Sequence, residues 1–152
     1  MAALTTIHEF LRGVQIPFTV VPNPPGAKVV VCLVDGEPIE AIIPAALAVH
    51  LDRLLELAGG REIRMADETE LRRQFPGAEA NALPPLGALA GRAVFVDVSL
   101  ASKPDVVFSA GTHLEAIAVR WADFARTVKP IVGNLAGPPT DRVPAYRLSY
   151  RE

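Results

Sequence analysis

The sequence is short of the residues that build most reactive centres. Among 152 residues there are one cysteine and three histidines. The lone Cys32 excludes an internal disulfide. It lies in the apolar run Val29-Val30-Val31-Cys32-Leu33, where a thiol packs as a small hydrophobe and is not exposed as a nucleophile. Such cysteine usage fits a reducing compartment. His8, His50 and His113 are far apart, and no Cys or His pair has metal spacing, so no metal site is expected. A Gly-rich phosphate loop, a GxSxG elbow and an HExxH helix are missing too, and no Ser-His-Asp arrangement follows from sequence proximity. No cofactor is expected.

Charge of one sign is also lacking. Fifteen Lys and Arg stand against seventeen Asp and Glu, a net charge of −2, so the chain has no basic footprint for tight nucleic-acid binding. No apolar run is long enough to cross a bilayer, so no membrane partner is expected. Met1 to Gly13 carries Thr5, Thr6, His8, Glu9 and Arg12 among its apolar residues, unlike a signal peptide. The expected location is cytoplasmic.

What the chain does have is core-forming material and punctuation. Half of its residues are hydrophobic, enough for one domain to bury a core without staples, while 14 Pro and 11 Gly divide it into short elements. Thr6 and Glu9 with Ile7, Phe10 and Leu11 read as a capped helix. Phe18 to Val21 reads as a strand and Pro22 to Gly26 as a loop. Lys28 to Val34, Asp35-Gly36 and Glu37 to Ile43 form a hairpin signal. Leu51, Leu54, Leu55, Leu57 and Ala58 have helical spacing and stop at Gly59-Gly60. Glu62 to Met65 reads as a strand. Asp67 with Glu70 predicts a capping box opening a helix through Phe75.

Pro76 to Gly91 is a long irregular stretch, and such stretches are more often functional than idle. Ala93 to Val98, Asp105 to Ser109 and Leu114 to Val119 read as strands, Ala110-Gly111 as a turn, and Trp121 to Val128 as a helix. Residues 1–136 then form one domain, and the polar, proline-bearing residues 137–152 a loosely packed tail. Hairpins mixed with short helices predict an α/β domain whose mixed, mostly antiparallel sheet curls toward a barrel, with flanking helices.

Four features carry chemistry. Lys28 opens an apolar strand; it is either a snorkelling strand-end lysine or a fixed cation at a cleft mouth. Asn81-Ala82-Leu83-Pro84-Pro85-Leu86-Gly87 is either a plain connection or a stiff pocket wall offering backbone N–H groups to an oxyanion. Ser109-Ala110-Gly111-Thr112-His113 puts small residues, a hydroxyl and an imidazole at a strand end, as an ordinary turn or as a place of close ligand approach. Asp97, before Val98-Ser99-Leu100, reads first as a helix cap.

In their shared order these features resemble the YbaK/prolyl-tRNA editing-domain family. Ala27-Lys28-Val29-Val30-Val31 matches its Ala-Lys strand, Asp35-Gly36 through Pro44-Ala45 its hairpin, and Asn81 to Gly87 its Gly-x-x-x-Pro loop. The Asp-x-Ser-Leu segment, the Ala-Gly-Thr-His turn and Ala122-Asp123-Phe124 follow. The similarity spans residues 27 to 135. It implies hydrolysis of the ester joining a wrong amino acid to a tRNA 3′ end, typically tRNA-Pro, without metal or covalent nucleophile. Carried over, the catalytic residues are Lys28 as anchor with Gly111 and His113. Val29, Asn81, Ala82, Leu83, Pro84, Pro85, Gly87, Ser109, Ala110 and Thr112 contact the substrate.

The implied partners are aminoacyl-tRNA and a prolyl-tRNA synthetase, with the chain a monomer or a homodimer. Three departures stand out. Asn81 replaces the loop glycine, Val29 stands where alanine-clearing members carry Asn, and the Phe18–Lys28 stretch is too short for the family's covering helix. The competing reading is a catalytically silent module that holds an acceptor end or a protein partner.

Overall fold

A long hairpin forms the centre of the protein. The computed structural model describes residues 11–13, 15–22, 26–74, 92–109, 115–139 and 145–147. After β1 (Phe18–Pro22), β2 (Ala27–Val34) and β3 (Glu37–Pro44) pair along their whole length. Asp35 and Gly36 between them have φ of 51° and 86°, so both residues of the turn are left-handed, as a twist-matched two-residue hairpin requires. The Asp35 carboxylate also accepts the N–H groups of Arg61 and Glu62, each at 3.0 Å. It thereby pins the start of β5 (Glu62–Met65) beside the turn.

Between β3 and β5 lie β4 (Ala48–Val49) and α1 (Leu51–Ala58). Leu51, Leu54 and Leu55 form the buried stripe of α1, and Gly59 ends it at φ 77° with its N–H on Leu55 O. The expected capping box is present: Asp67 Oδ1 accepts the Glu70 N–H and Glu70 Oε1 accepts the Asp67 N–H, both at 2.8 Å. It opens α2 (Glu68–Gln74). There follow β6 (Val94–Asp97), the one-turn helix α3 (Val98–Ala101), β7 (Asp105–Ser109) and β8 (Glu115–Arg120). The described chain closes with α4 (Trp121–Val128), β9 (Ile131–Gly133), β10 (Ala136–Gly137) and β11 (Ala145–Arg147).

Six strands make the main sheet in the order β11-β5-β2-β3-β6-β9, parallel at β3-β6 and β6-β9 and antiparallel elsewhere. An antiparallel sheet β1-β8-β7 packs on one of its faces, with β2 against β7, and a small sheet β10-β4 joins on the other side. This is the mixed α/β fold with a curled sheet that the sequence predicts. Among the described residues the curl stops short of a closed barrel.

The period-2 alternation of β2 feeds two cores. Ala27, Val29 and Val31 join Ile42, Val96, Val106, Phe108, Ile117 and Phe124 between the two larger sheets. Cys32 and Val34 join Ile43, Leu54, Leu55 and Leu135 under α1. Phe108 and Phe124 meet at 6.1 Å between ring centroids, and truncating either to Ala would cost about 3–5 kcal/mol.

One expectation shifts. Val98 begins a helix instead of ending a strand, because Asp97 caps it. Gly137 lies in β10, and residues 145–147 form β11, one edge of the main sheet. Thr6 to Phe10, Phe75 to Gly91 and Ala110 to Leu114 lie outside the described residues, as do the helix, loop and turn expected there.

Candidate functional site

The carboxyl ends of the parallel strands and the start of β2 lie together at one end of the main sheet. Lys28 pairs with Ile43 and Asp97 with Gly133, each one residue beyond the row Val29-Ile42-Val96-Val132, so Lys28, Ile43, Asp97 and Gly133 lie level across the sheet. Open α/β sheets present ligand-binding groups at such carboxyl ends. This second row begins with the cation singled out from the sequence.

Lys28 shares its side of β2 with Val30 and Cys32, whereas Val29 points into the core between the sheets and is 7% exposed. The two neighbours, both expected at the substrate, therefore address opposite faces. Lys28 is half-buried, and among the described residues no carboxylate forms an ion pair with it. Among the described residues its ammonium is thus a positive charge without a carboxylate partner. Gly26 O just before it accepts the Ala45 N–H at 2.9 Å, which ties the two ends of the hairpin together beneath the lysine.

Ser109 ends β7, where it pairs with Ala116, and Pro22 pairs with Glu115. From Pro22 to Lys28 is six residue steps, at most about 20 Å of chain. Ser109 and Pro22 thus lie at the same end of the β1-β8-β7 sheet, whose β7 packs against β2. Ala110, Gly111, Thr112 and His113 lie outside the described residues, and so do Asn81, Ala82, Leu83, Pro84, Pro85 and Gly87.

Asp97 is the cap that the sequence predicts, and more. It is 4% exposed. Its Oδ2 accepts the N–H of Ser99 at 3.1 Å and the Ser99 hydroxyl at 2.5 Å. Its Oδ1 accepts the N–H groups of Leu135 at 2.9 Å and Ala136 at 3.0 Å. Burial opposes ionisation here, but these hydrogen bonds outweigh it and hold the carboxyl below the usual carboxylate range. With Oδ2 capping α3 and Oδ1 joining the end of β6 to Leu135 and to Ala136 at the start of β10, Asp97 serves the architecture.

The remaining candidates are structural. Burial pushes the Cys32 thiol up to about 12, so it carries no thiolate at neutral pH. His50 precedes α1 and its Nε2 lies 3.2 Å from Pro138 O. Among the described residues no group of three His, Cys, Asp or Glu could hold a metal. No described helix is long and apolar enough to cross a membrane. Sequence reasoning passed over Glu40, a fully buried carboxylate 3.9 Å from Arg92. The signal was a lone acid in the apolar strand Ile39-Glu40-Ala41-Ile42-Ile43.

Fold and row together define a mixed-sheet α/β domain with Lys28 at the carboxyl end of its parallel strands, where no carboxylate among the described residues pairs with it. The aminoacyl-tRNA editing domain family matches this chain over residues 4–127, and the chain belongs to that family. Its activity is accordingly that of an aminoacyl-tRNA deacylase, a hydrolase.

Solved structures share the fold. A protein provisionally assigned as a trans-editing enzyme for prolyl-tRNA synthetase superimposes with a TM-score of 0.77 at 17% identity, covering 90% of this chain and 98% of the other. The hypothetical protein APE2540 gives 0.75 at 16% identity, covering 86% and 99%. A protein from Marinobacter aquaeolei VT8, provisionally assigned to signal transduction, gives 0.71 at 21% identity over 86% of this chain and 30% of its own. A search of curated protein sequences finds no significant match.

Proposed function

We propose that the substrate is a mischarged tRNA-Pro, hydrolysed in trans. The observation that carries this reading is Lys28, a half-buried ammonium at the ligand-binding end of the sheet with no ion-pair partner among the described residues. A compact ammonium there suits a phosphate or ester oxygen of the tRNA 3′ end. Water adds to the ester carbonyl, the bond to the ribose oxygen breaks, and the free amino acid and the tRNA hydroxyl are released. In this reading Lys28 anchors the acceptor end and Gly111 with His113 forms the facing wall. Asn81, Ala82, Leu83, Pro84, Pro85 and Gly87 enclose the amino acid, with backbone amides for the oxyanion. Val29, Ser109, Ala110 and Thr112 complete the substrate contacts.

The neighbour assigned to prolyl-tRNA synthetase editing supports the choice of tRNA and of that synthetase as a working partner. A substrate drawn from translation favours the cytoplasm as the location. The deciding experiment incubates the protein with tRNA-Pro charged with proline, alanine or cysteine and follows release of each amino acid. Selective release of a non-proline residue supports the reading; release of none of them removes it.

One observation favours a second reading, a module that holds the acceptor end without cleaving it. Only four residues separate β1 from β2, too few for a covering helix over Lys28. Binding of mischarged tRNA with no hydrolysis would select that alternative.

A further inference from the structure

The main chain of β2 divides its hydrogen bonds between two sides. The two-residue turn closes on the pair Val34 and Glu37, so Val34, Cys32, Val30 and Lys28 exchange bonds with β3. Gly26 O continues that series when it accepts the Ala45 N–H. The residues between them turn the other way, toward β5. The Asp35 N–H donates to Glu62 O and Val31 O accepts the Ala66 N–H, each at 3.0 Å. Pairing with β5 goes no further, because Asp67 then caps α2 and the chain turns off. The N–H and C=O of Val29 therefore point past the end of β5, and they meet no hydrogen-bond partner among the described residues.

Val29 is 7% exposed, and Ala27, next along the same edge, is 0% exposed. Main-chain groups so little exposed are nearly always paired, so this edge lacks a partner that its surroundings call for. An unpaired strand edge is a template for another extended segment. Here it adjoins Lys28.

We propose that this edge holds the aminoacyl group itself as a strand of one residue, an inference that rests on Lys28 marking the deacylase site as read above. The α-ammonium donates to Val29 O while the Val29 N–H donates to the ester carbonyl, the reciprocal exchange of an antiparallel pair. The aminoacyl residue then continues the line of β5, with its ammonium toward Ala66 and its ester oxygen and ribose alongside Lys28. Its side chain leaves on the Val29 side of the sheet, where β7 packs against β2. When water adds to the carbonyl, an electron pair moves onto the oxygen held by the Val29 N–H. The pair returns as the ribose oxygen leaves with a proton from the water. Val29 thus meets the substrate through its main chain, while its side chain belongs to the core.

The test follows amide hydrogen exchange by NMR in the whole protein. In the free protein the Val29 amide should exchange about a hundredfold faster than those of Lys28 and Val30, which bond to β3. Saturating 3′-deoxy-3′-(L-alanylamino)adenosine, a stable mimic of an aminoacylated tRNA end, should slow it about tenfold or more. The propionyl counterpart, which lacks the α-amine, should protect it less. A second measurement replaces Val29 by its α-hydroxy counterpart, which turns the N–H into an ester oxygen. That change should lower kcat by about a hundredfold, as loss of an oxyanion donor does. The same change at Val31 weakens the β2–β3 ladder equally and should leave kcat near the wild-type value.

A Val29 amide that exchanges as slowly as its neighbours, or that the alanyl probe leaves unprotected, would overturn the proposal. So would equal kcat values for the two backbone variants. Failure of the tRNA-Pro reading looks different: no release from any charged tRNA-Pro, with the Val29 amide still protected by the probe.

Discussion

Lys28 stands directly across the β2–β3 ladder from Ile43, a residue with no solvent exposure. A cation is thereby mounted on the fully paired central hairpin, opposite a buried residue. Lys28→Ala should lower deacylation by about a hundredfold, the effect of losing one charge contact or transition-state donor worth about 2–4 kcal/mol. It should change stability by only about 0.5 kcal/mol. Lys28→Arg should rescue poorly, because a planar guanidinium does not replace a compact ammonium. Paired rate and melting measurements check this. Full activity in Lys28→Ala would move the anchor elsewhere, and an unfolded Lys28→Ala would make the lysine structural.

Ester hydrolysis by oriented water and backbone donors needs no Lewis acid. Deacylation should therefore continue unchanged in excess EDTA. A loss of activity that added zinc restores would replace the proposed mechanism with a metal-assisted one.

The parts legible in the sequence are those specified by local chemistry. Asp35-Gly36 demanded a left-handed turn, and Asp67 with Glu70 demanded reciprocal capping; both are present with the expected geometry. Asp97 was legible as a cap for the same reason, but its bonds to Leu135 and Ala136 join residues 38 and 39 positions apart and leave no local trace. β4, β9, β10 and β11 were not anticipated, because strands of two or three residues carry too little periodicity and exist only through their partners. Glu40 was passed over because strand patterning looks for apolar residues and reads past a single exception. Of the candidate site, Lys28 and Val29 were legible as residues, but their opposite facing follows only from register.

Lys129 terminates α4 at φ 54°, with its N–H on Ala125 O. A side chain in this left-handed region is strained, and glycine is relieved of that strain. Lys129→Gly should therefore stabilise the protein by up to about 1 kcal/mol, and Lys129→Val should destabilise it. Thermal melts of the two variants test this. A Lys129→Gly protein that melts lower would show that the side chain contributes more than the backbone strain costs.

Arg64 holds Glu70 through two hydrogen bonds of 2.9 and 2.7 Å. The Arg64 guanidinium, with the Asp67 N–H, lowers the Glu70 carboxyl from 4.5 to about 2. Because the folded value lies below the unfolded one, the contribution is complete above about pH 4.5 and disappears as pH falls toward 2. The melting difference between wild type and Glu70→Gln should be present near neutral pH and should vanish across that acid window. A difference that stays constant down to pH 2 would mean that the ion pair adds nothing to stability.

Asp97 supplies the sharpest division between architecture and chemistry. Its removal in Asp97→Ala strips acceptors from the N–H groups of Ser99, Leu135 and Ala136, and Leu135 and Ala136 are buried. A buried donor left without an acceptor costs about 1–3 kcal/mol, so the total should reach about 3 kcal/mol or more. For a domain of this size that corresponds to a fall in melting temperature of roughly 6–12 °C. Asp97→Asn keeps one oxygen for Leu135 and Ala136 but puts an amide where Ser99 needs an acceptor, so its melting temperature should fall between those of the wild type and Asp97→Ala. If the carboxylate is wholly committed to these bonds, Asp97→Asn assayed well below its melting temperature should deacylate at close to the wild-type rate. Its pH–rate profile should also be unchanged, since no proton passes through this group. A well-folded Asp97→Asn enzyme that lost a hundredfold in kcat, or whose acid limb shifted, would place Asp97 in the chemistry beside Lys28 and make the cap its secondary role.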